Sequence, residues 1–90
     1  MYQIGSDQYA SKNLAKKHFW YLLRRYSKLN TMYEKDSPFY NVWVNLFRKT
    51  DKDTVVKAFV VEKEEGNKFK DIYVIDEAGE KRLWNWFNFS

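Results

Sequence analysis

The stretch from Thr54 to Phe89, TVVKAFVVEKEEGNKFKDIYVIDEAGEKRLWNWFNF, decides the fold. Three runs in it, residues 54–63, 68–76 and 81–89, are rich in β-branched and aromatic side chains, the composition of strands. The connectors 64–67 and 77–80 are too short for a parallel crossover, which takes about a dozen residues. The runs are therefore expected to pair as antiparallel hairpins. Upstream, residues 39–48 have the same composition and are joined to 54–63 by the short connector 49–53. They are expected to form the first strand of a four-stranded antiparallel β-meander over residues 39–89.

Before Pro38 the apolar spacing differs. Ala15, Phe19, Leu22, Tyr26, Leu29 and Tyr33 recur at alternating intervals of four and three, one face of a helix. Gly5-Ser6-Asp7 reads as the helix start, with Ser6 as N-cap and Asp7 in the first turn. A turn at Asp36-Ser37-Pro38 ends it. The helical region is expected over residues 7–33, with a break near Asn30-Thr31. The expected architecture is a single α+β domain, 1–90, with an N-terminal helix packed on the meander. In outline this is similar to the cystatins, but the chain lacks their Gln-x-Val-x-Gly loop, so the likeness is architectural and implies no activity.

Charge suggests the strand registers. A three-residue loop Glu65-Gly66-Asn67 would set Glu62 opposite Lys70, Val60 opposite Ile72 and Ala58 opposite Val74, avoiding like-charged pairs. A four-residue loop, 77–80, would pair Asp76 with Lys81, Val74 with Leu83 and Tyr73 with Trp84. A five-residue loop, 49–53, would pair Trp43 with Phe59. These registers put an aliphatic face under the helix and an aromatic row, Trp43, Phe59, Tyr73 and Trp84, on the other side. Trp86 and Phe47 flank the row.

Ninety residues with no cysteine leave stability to apolar packing, and 18 of the residues are aromatic (4 Trp, 7 Tyr, 7 Phe). That is more aromatic surface than one small core needs, and aromatics are enriched at interfaces. No apolar run is long enough to span a membrane. The first residues lack the features of a secretory leader, so an intracellular, cytoplasmic protein is expected.

The net charge of +4 is unevenly spread. Between Gln8 and Tyr33 stand six cations and no acid, whereas from Glu34 onward ten cations nearly balance eleven acids. On a helical wheel Lys17, Trp20, Tyr21, Arg24 and Lys28 gather opposite the apolar line. Cations interleaved with aromatics suit phosphates and bases, or an acidic protein. The aromatic row, with Trp86, is the second candidate surface: a stacking platform, a partner interface or a dimer face. The C-terminal strand, uncharged from Leu83 to Phe89, would be an edge open to homodimer pairing.

Catalytic chemistry has little support. The single histidine, His18, stands among Lys16, Lys17 and Phe19 with no cysteine or acid beside it in sequence, as a packed boundary residue would. The acids fall at turns without the spacing of a calcium loop. The three glycines make no phosphate-cradling loop. The expected function is a non-enzymatic binding protein, with no cofactor or metal, engaging nucleic acid or a nucleic-acid-handling protein. The alternative is a stoichiometric inhibitor of the kind phages and mobile elements direct at host defence or replication enzymes.

Overall fold

The computed structural model describes residues 1–88. The chain runs β1 (Tyr2–Ile4), β2 (Asp7–Tyr9), α1 (Lys12–Tyr26), β3 (Thr31–Glu34), α2 (Pro38–Phe47), β4 (Val56–Glu62), β5 (Asp71–Asp76), β6 (Lys81–Trp84) and a closing 3-10 turn (Trp86–Asn88). The expected α+β fold is present: a four-stranded antiparallel sheet in the order β3-β4-β5-β6, preceded by a helix. Several of the elements within it are not those read from the sequence.

The first correction is α2. Residues 39–48, expected as a strand, form a helix to Phe47, with the backbone N–H of Arg48 closing its last turn. Ser37 is its N-cap, accepting from the Phe39 N–H at 3.2 Å, and Pro38 stands in its first turn, where a missing N–H costs nothing. Tyr40, Trp43, Val44 and Phe47 are buried along one helical face. Their intervals of three and one fit a helix, and the alternation of Val42, Val44 and Leu46 does not set the period.

The second correction concerns residues 7–33, expected as helical throughout. Gly5-Ser6 is the two-residue turn of a β1–β2 hairpin, with Gly5 at φ +60 and Ile4 paired with Asp7. A Cβ at Gly5 would also come within 2.6 Å of the Asn45 side chain on α2. The helix begins later, capped by Ser11, whose hydroxyl accepts from the Leu14 N–H at 3.2 Å. It ends at Tyr26. No helix reaches the break expected near Asn30-Thr31: Asn30 takes φ +58 in a turn, and from Thr31 the chain runs as β3, the sheet's first strand.

A cation holds the end of α1. Lys70 Nζ donates to the Ser27 carbonyl at 2.7 Å and the Ser27 hydroxyl at 3.2 Å, and reaches the Leu23 and Arg24 carbonyls at 3.4 Å. Buried Ser27 in turn donates its hydroxyl to the Leu23 carbonyl. Unpaired carbonyls and the negative end of the helix dipole make this a favourable seat for an ammonium. Lys70→Met is expected to lower unfolding free energy by about 1–2 kcal/mol. An unchanged urea midpoint would show that the ammonium contributes nothing there.

Both hairpin registers differ by one residue from expectation. Val61 faces Ile72, Phe59 faces Val74 and Glu62 faces Asp71. The like-charged pair is tolerated because Lys81 reaches across from β6 to Glu62, Nζ to Oε2 at 2.5 Å, passing over the Tyr73 ring. A bulge between Val56 and Ala58 shifts the start of β4, and the Tyr40 hydroxyl donates to the Val56 carbonyl at 2.6 Å. In the last hairpin Ile75 faces Lys81 and Ile72 faces Trp84. Asp76 does not pair with Lys81 but folds into its turn, accepting from the Ala78 and Glu80 N–H groups.

The two helices cover one sheet face, and Phe59, Val61, Ile72, Val74 and Trp84 point into the core from it. Met32, Val60, Tyr73 and Leu83 form a row on the opposite face.

The turn before β4 is tied by Asp51. Its carboxylate accepts from the Thr54 hydroxyl at 2.6 Å, from the Asp53 and Thr54 N–H groups at 3.0 Å and from Arg82 at 3.1 Å. The hydrogen bonds from Thr54, with those from Asp53 and Arg82, hold its pKa down at about 2, against an ordinary 3.8. A carboxyl with a depressed folded pKa contributes stability that is complete above its unfolded value and lost as pH falls through the folded one. Asp51→Asn is therefore expected to lower the urea midpoint at neutral pH, with the gap from wild type closing between pH about 4 and about 2. A gap constant across that range would exclude the carboxylate as its source.

Candidate nucleic-acid interface

The solvent face of α1 follows from the helix's own periodicity. Ala15, Phe19 and Leu23 turn inward and are buried. Lys17, Tyr21, Arg24 and Arg25 are exposed on the other side, and Trp20 is half-buried between the two. The Arg24 guanidinium lies 4.7 Å from the Trp20 ring centre, and that of Arg25 lies 5.9 Å from Tyr21. Such contacts hold the cations over apolar rings while leaving their charge in water. Among the described residues, none of Lys17, Arg24 and Arg25 forms an ion pair.

Two later parts of the chain flank this face. Phe69, 59% exposed, approaches Trp20 with ring centres 5.9 Å apart. Phe87, 47% exposed, also reaches the helix, with Lys16 Nζ 4.8 Å from its ring centre. Between these elements run two grooves that share Trp20. One, about 450 Å³, is lined by Asn13, Lys16, Lys17, Trp20 and Phe87. The other, about 490 Å³, passes Trp20, Arg24, Phe69 and Lys70 toward Phe87. One carboxylate, Asp71, lines this larger groove.

Four of the five residues expected on the helix face are thus brought together: Lys17, Trp20, Tyr21 and Arg24. Lys28 is exposed beyond the helix end, where its N–H donates to the Tyr33 hydroxyl at 2.8 Å, and it lines neither groove. Lys16, Arg25, Phe69 and Phe87 join the surface unannounced. Arg25 follows Arg24 on the same helix and could have been included. Phe69 and Phe87 arrive by tertiary folding, and nothing local in the sequence marks them.

The second expected surface is not a surface. Trp43 and Phe59 are no more than 1% exposed, and Trp84 and Trp86 are 9% and 7% exposed. Trp43 comes from α2 and sits inside a ring cluster, 5.0 Å from Phe19, 5.1 Å from Trp86 and 5.9 Å from Trp84. Of the expected row only Tyr73 lies on the opposite sheet face, half-buried under Lys81. These four rings belong to the core, although Trp84 and Trp86 show an edge at the floor of the larger groove.

The expected open C-terminal edge is also absent in that form. β6 stops at Trp84, carries Lys81 and Arg82, and gives way to the 3-10 turn that buries Trp86; Phe89 lies outside the described residues. A short, charged edge discourages strand pairing between copies.

His18 is exposed and shares a 2.7 Å hydrogen bond, through Nδ1, with the Tyr9 hydroxyl on β2. Among the described residues no three His, Cys, Asp or Glu side chains are grouped to hold a metal ion, and no helix is long and apolar enough to cross a membrane. No protein-family model, curated protein or solved structure matches the chain.

Proposed function

We propose that the protein is a non-enzymatic nucleic-acid-binding domain whose contact surface is the basic, aromatic face of α1 with its flanking grooves. The observation that carries this reading is the company Trp20 keeps. Trp20 packs in part on the core, yet its ring also lines both grooves among Lys17 and Arg24, with Phe69 and Phe87 brought up beside it, a grouping of exposed cations and rings that a solvated helix face does not require. Phosphates would take the cations, which contribute most of the affinity of such complexes, and the rings would take bases or sugars.

A mobility-shift assay at low ionic strength tests the proposal directly. Single-stranded DNA, single-stranded RNA and duplex DNA of mixed sequence serve as probes. At least one is expected to shift, and the shift to disappear as salt is raised. No shift with any of the three would end the nucleic-acid reading and leave an acidic protein as the partner to seek.

A further inference from the structure

We infer that the groove between Trp20 and Phe87 is a slot for one unstacked base, which makes single-stranded nucleic acid the ligand; this rests on the nucleic-acid reading above. The slot's walls are two rings from distant parts of the chain, and among the described residues no ring contact joins them. The groove between them, about 450 Å³, has room for a flat base that stacks on one ring or both, and Lys16, whose Nζ lies 4.8 Å from the Phe87 ring centre, would move off that ring toward the phosphate. Asn13 lies at the same slot with both a hydrogen-bond donor and an acceptor, the pair needed to meet a base edge. Lys16 and Lys17 line the slot, where the sugar-phosphate chain would leave it, and Arg24 stands two turns further along α1.

The helix geometry agrees with this path. Lys17 and Arg24 are seven residues apart, about 10 Å along the axis. A stacked strand rises about 3.4 Å per nucleotide, so the two cations span about three steps, or fewer where a ring has been inserted. In a duplex the base faces are stacked on one another and only their edges are open, so the two rings would find no base face to stack on. The charge calls for an anionic occupant and the rings select among anions: an acidic peptide would also satisfy the cations but has no need of the two aromatic walls.

The test uses the full chain with a labelled oligo(dT) of about 12 nucleotides, within the usual site size, and a blunt duplex of the same length. The single strand is expected to bind more tightly than the duplex and to quench tryptophan emission. Most of the quench should be lost in Trp20→Phe, since Trp43 is buried and Trp84 and Trp86 show only their edges to the larger groove. Trp20→Phe should keep most of the affinity. Trp20→Ala and Phe87→Ala should each lower it roughly 5- to 150-fold, the range for one lost base–aromatic stack. Equal binding of duplex and single strand with Trp20 emission unchanged would overturn the slot while leaving backbone binding intact. Failure of every probe to bind would overturn both, and capture of an acidic peptide alone would assign the groove to protein. Trp20→Phe guards against misfolding of the alanine variants, because it retains a packed ring.

Discussion

Trp43→Ala is expected to cost about 3–5 kcal/mol of folding free energy, the usual price of removing a large aromatic from a core. For a domain of this size total stability is about 5–13 kcal/mol, so the variant would lose about a quarter of it or more. In thermal unfolding the midpoint should fall by roughly 15–30 °C. The reason is the position of the indole: 1% exposed, stacked on Phe39 with ring centres 5.4 Å apart, and edge-on to Phe19, Trp84 and Trp86. Tyr73→Ala is the informative contrast. The sequence places Tyr73 in one surface row with Trp43, yet it lies half-buried on the opposite face, and its loss should cost about 1 kcal/mol or less. Comparable, small losses from both would return Trp43 to the surface and undo the packing described here.

The second large effect falls on binding. Reversing Lys17 and Arg24 together to Glu turns two attractions into two repulsions at the centre of the α1 face. A loss of about 3 kcal/mol, on the order of 100-fold in affinity, is expected at low salt. Both side chains are exposed, so folding should change little. The larger part of any change comes from Arg24→Glu, which puts an acid in the last turn of α1 at about 0.3–1 kcal/mol. Lys28→Glu is the control on geometry. Lys28 belongs to the same acid-free stretch but lines neither groove, and its reversal should weaken binding far less. If all three substitutions act equally, net charge and not the grooved face governs binding.

The sheet and the helix face were legible for different reasons. The strands β4, β5 and β6 announced themselves by β-branched composition and short connectors. The α1 face was legible because helical periodicity and charge agree between Ala15 and Arg24. Residues 39–48 read as a strand because they are so densely apolar that either period can be drawn through them. What distinguishes the helix is its start, Ser37 as cap and Pro38 behind it, a pair that also reads as a turn. Gly5-Ser6 held the same ambiguity between a helix start and a hairpin turn. The registers failed through a pairwise charge rule. Glu62 and Asp71 do face each other, and relief comes from Lys81 on a third strand, which a two-strand argument cannot contain. That slip, together with α2, turned a supposed surface row into the core.

The same folding that removed one candidate interface completed the other. Phe69 precedes β5 and Phe87 follows β6, and both reach α1 because the antiparallel sheet returns those two chain ends to the same side of the helix. Neither could be assigned to Trp20 without the topology.

The central claim is that phosphate contacts by the α1 face drive binding, and the salt dependence of affinity tests it most directly. Three cations, Lys16, Lys17 and Arg24, line the grooves, and a fourth, Arg25, lies beside them on α1 over Tyr21. With about 0.7 counterions released per phosphate on a single strand, a plot of log affinity against log salt should fall with a slope of about −3, and the double reversal should flatten it by at least about 1.4. An affinity indifferent to salt, or no binding at the lowest ionic strength, would contradict the account.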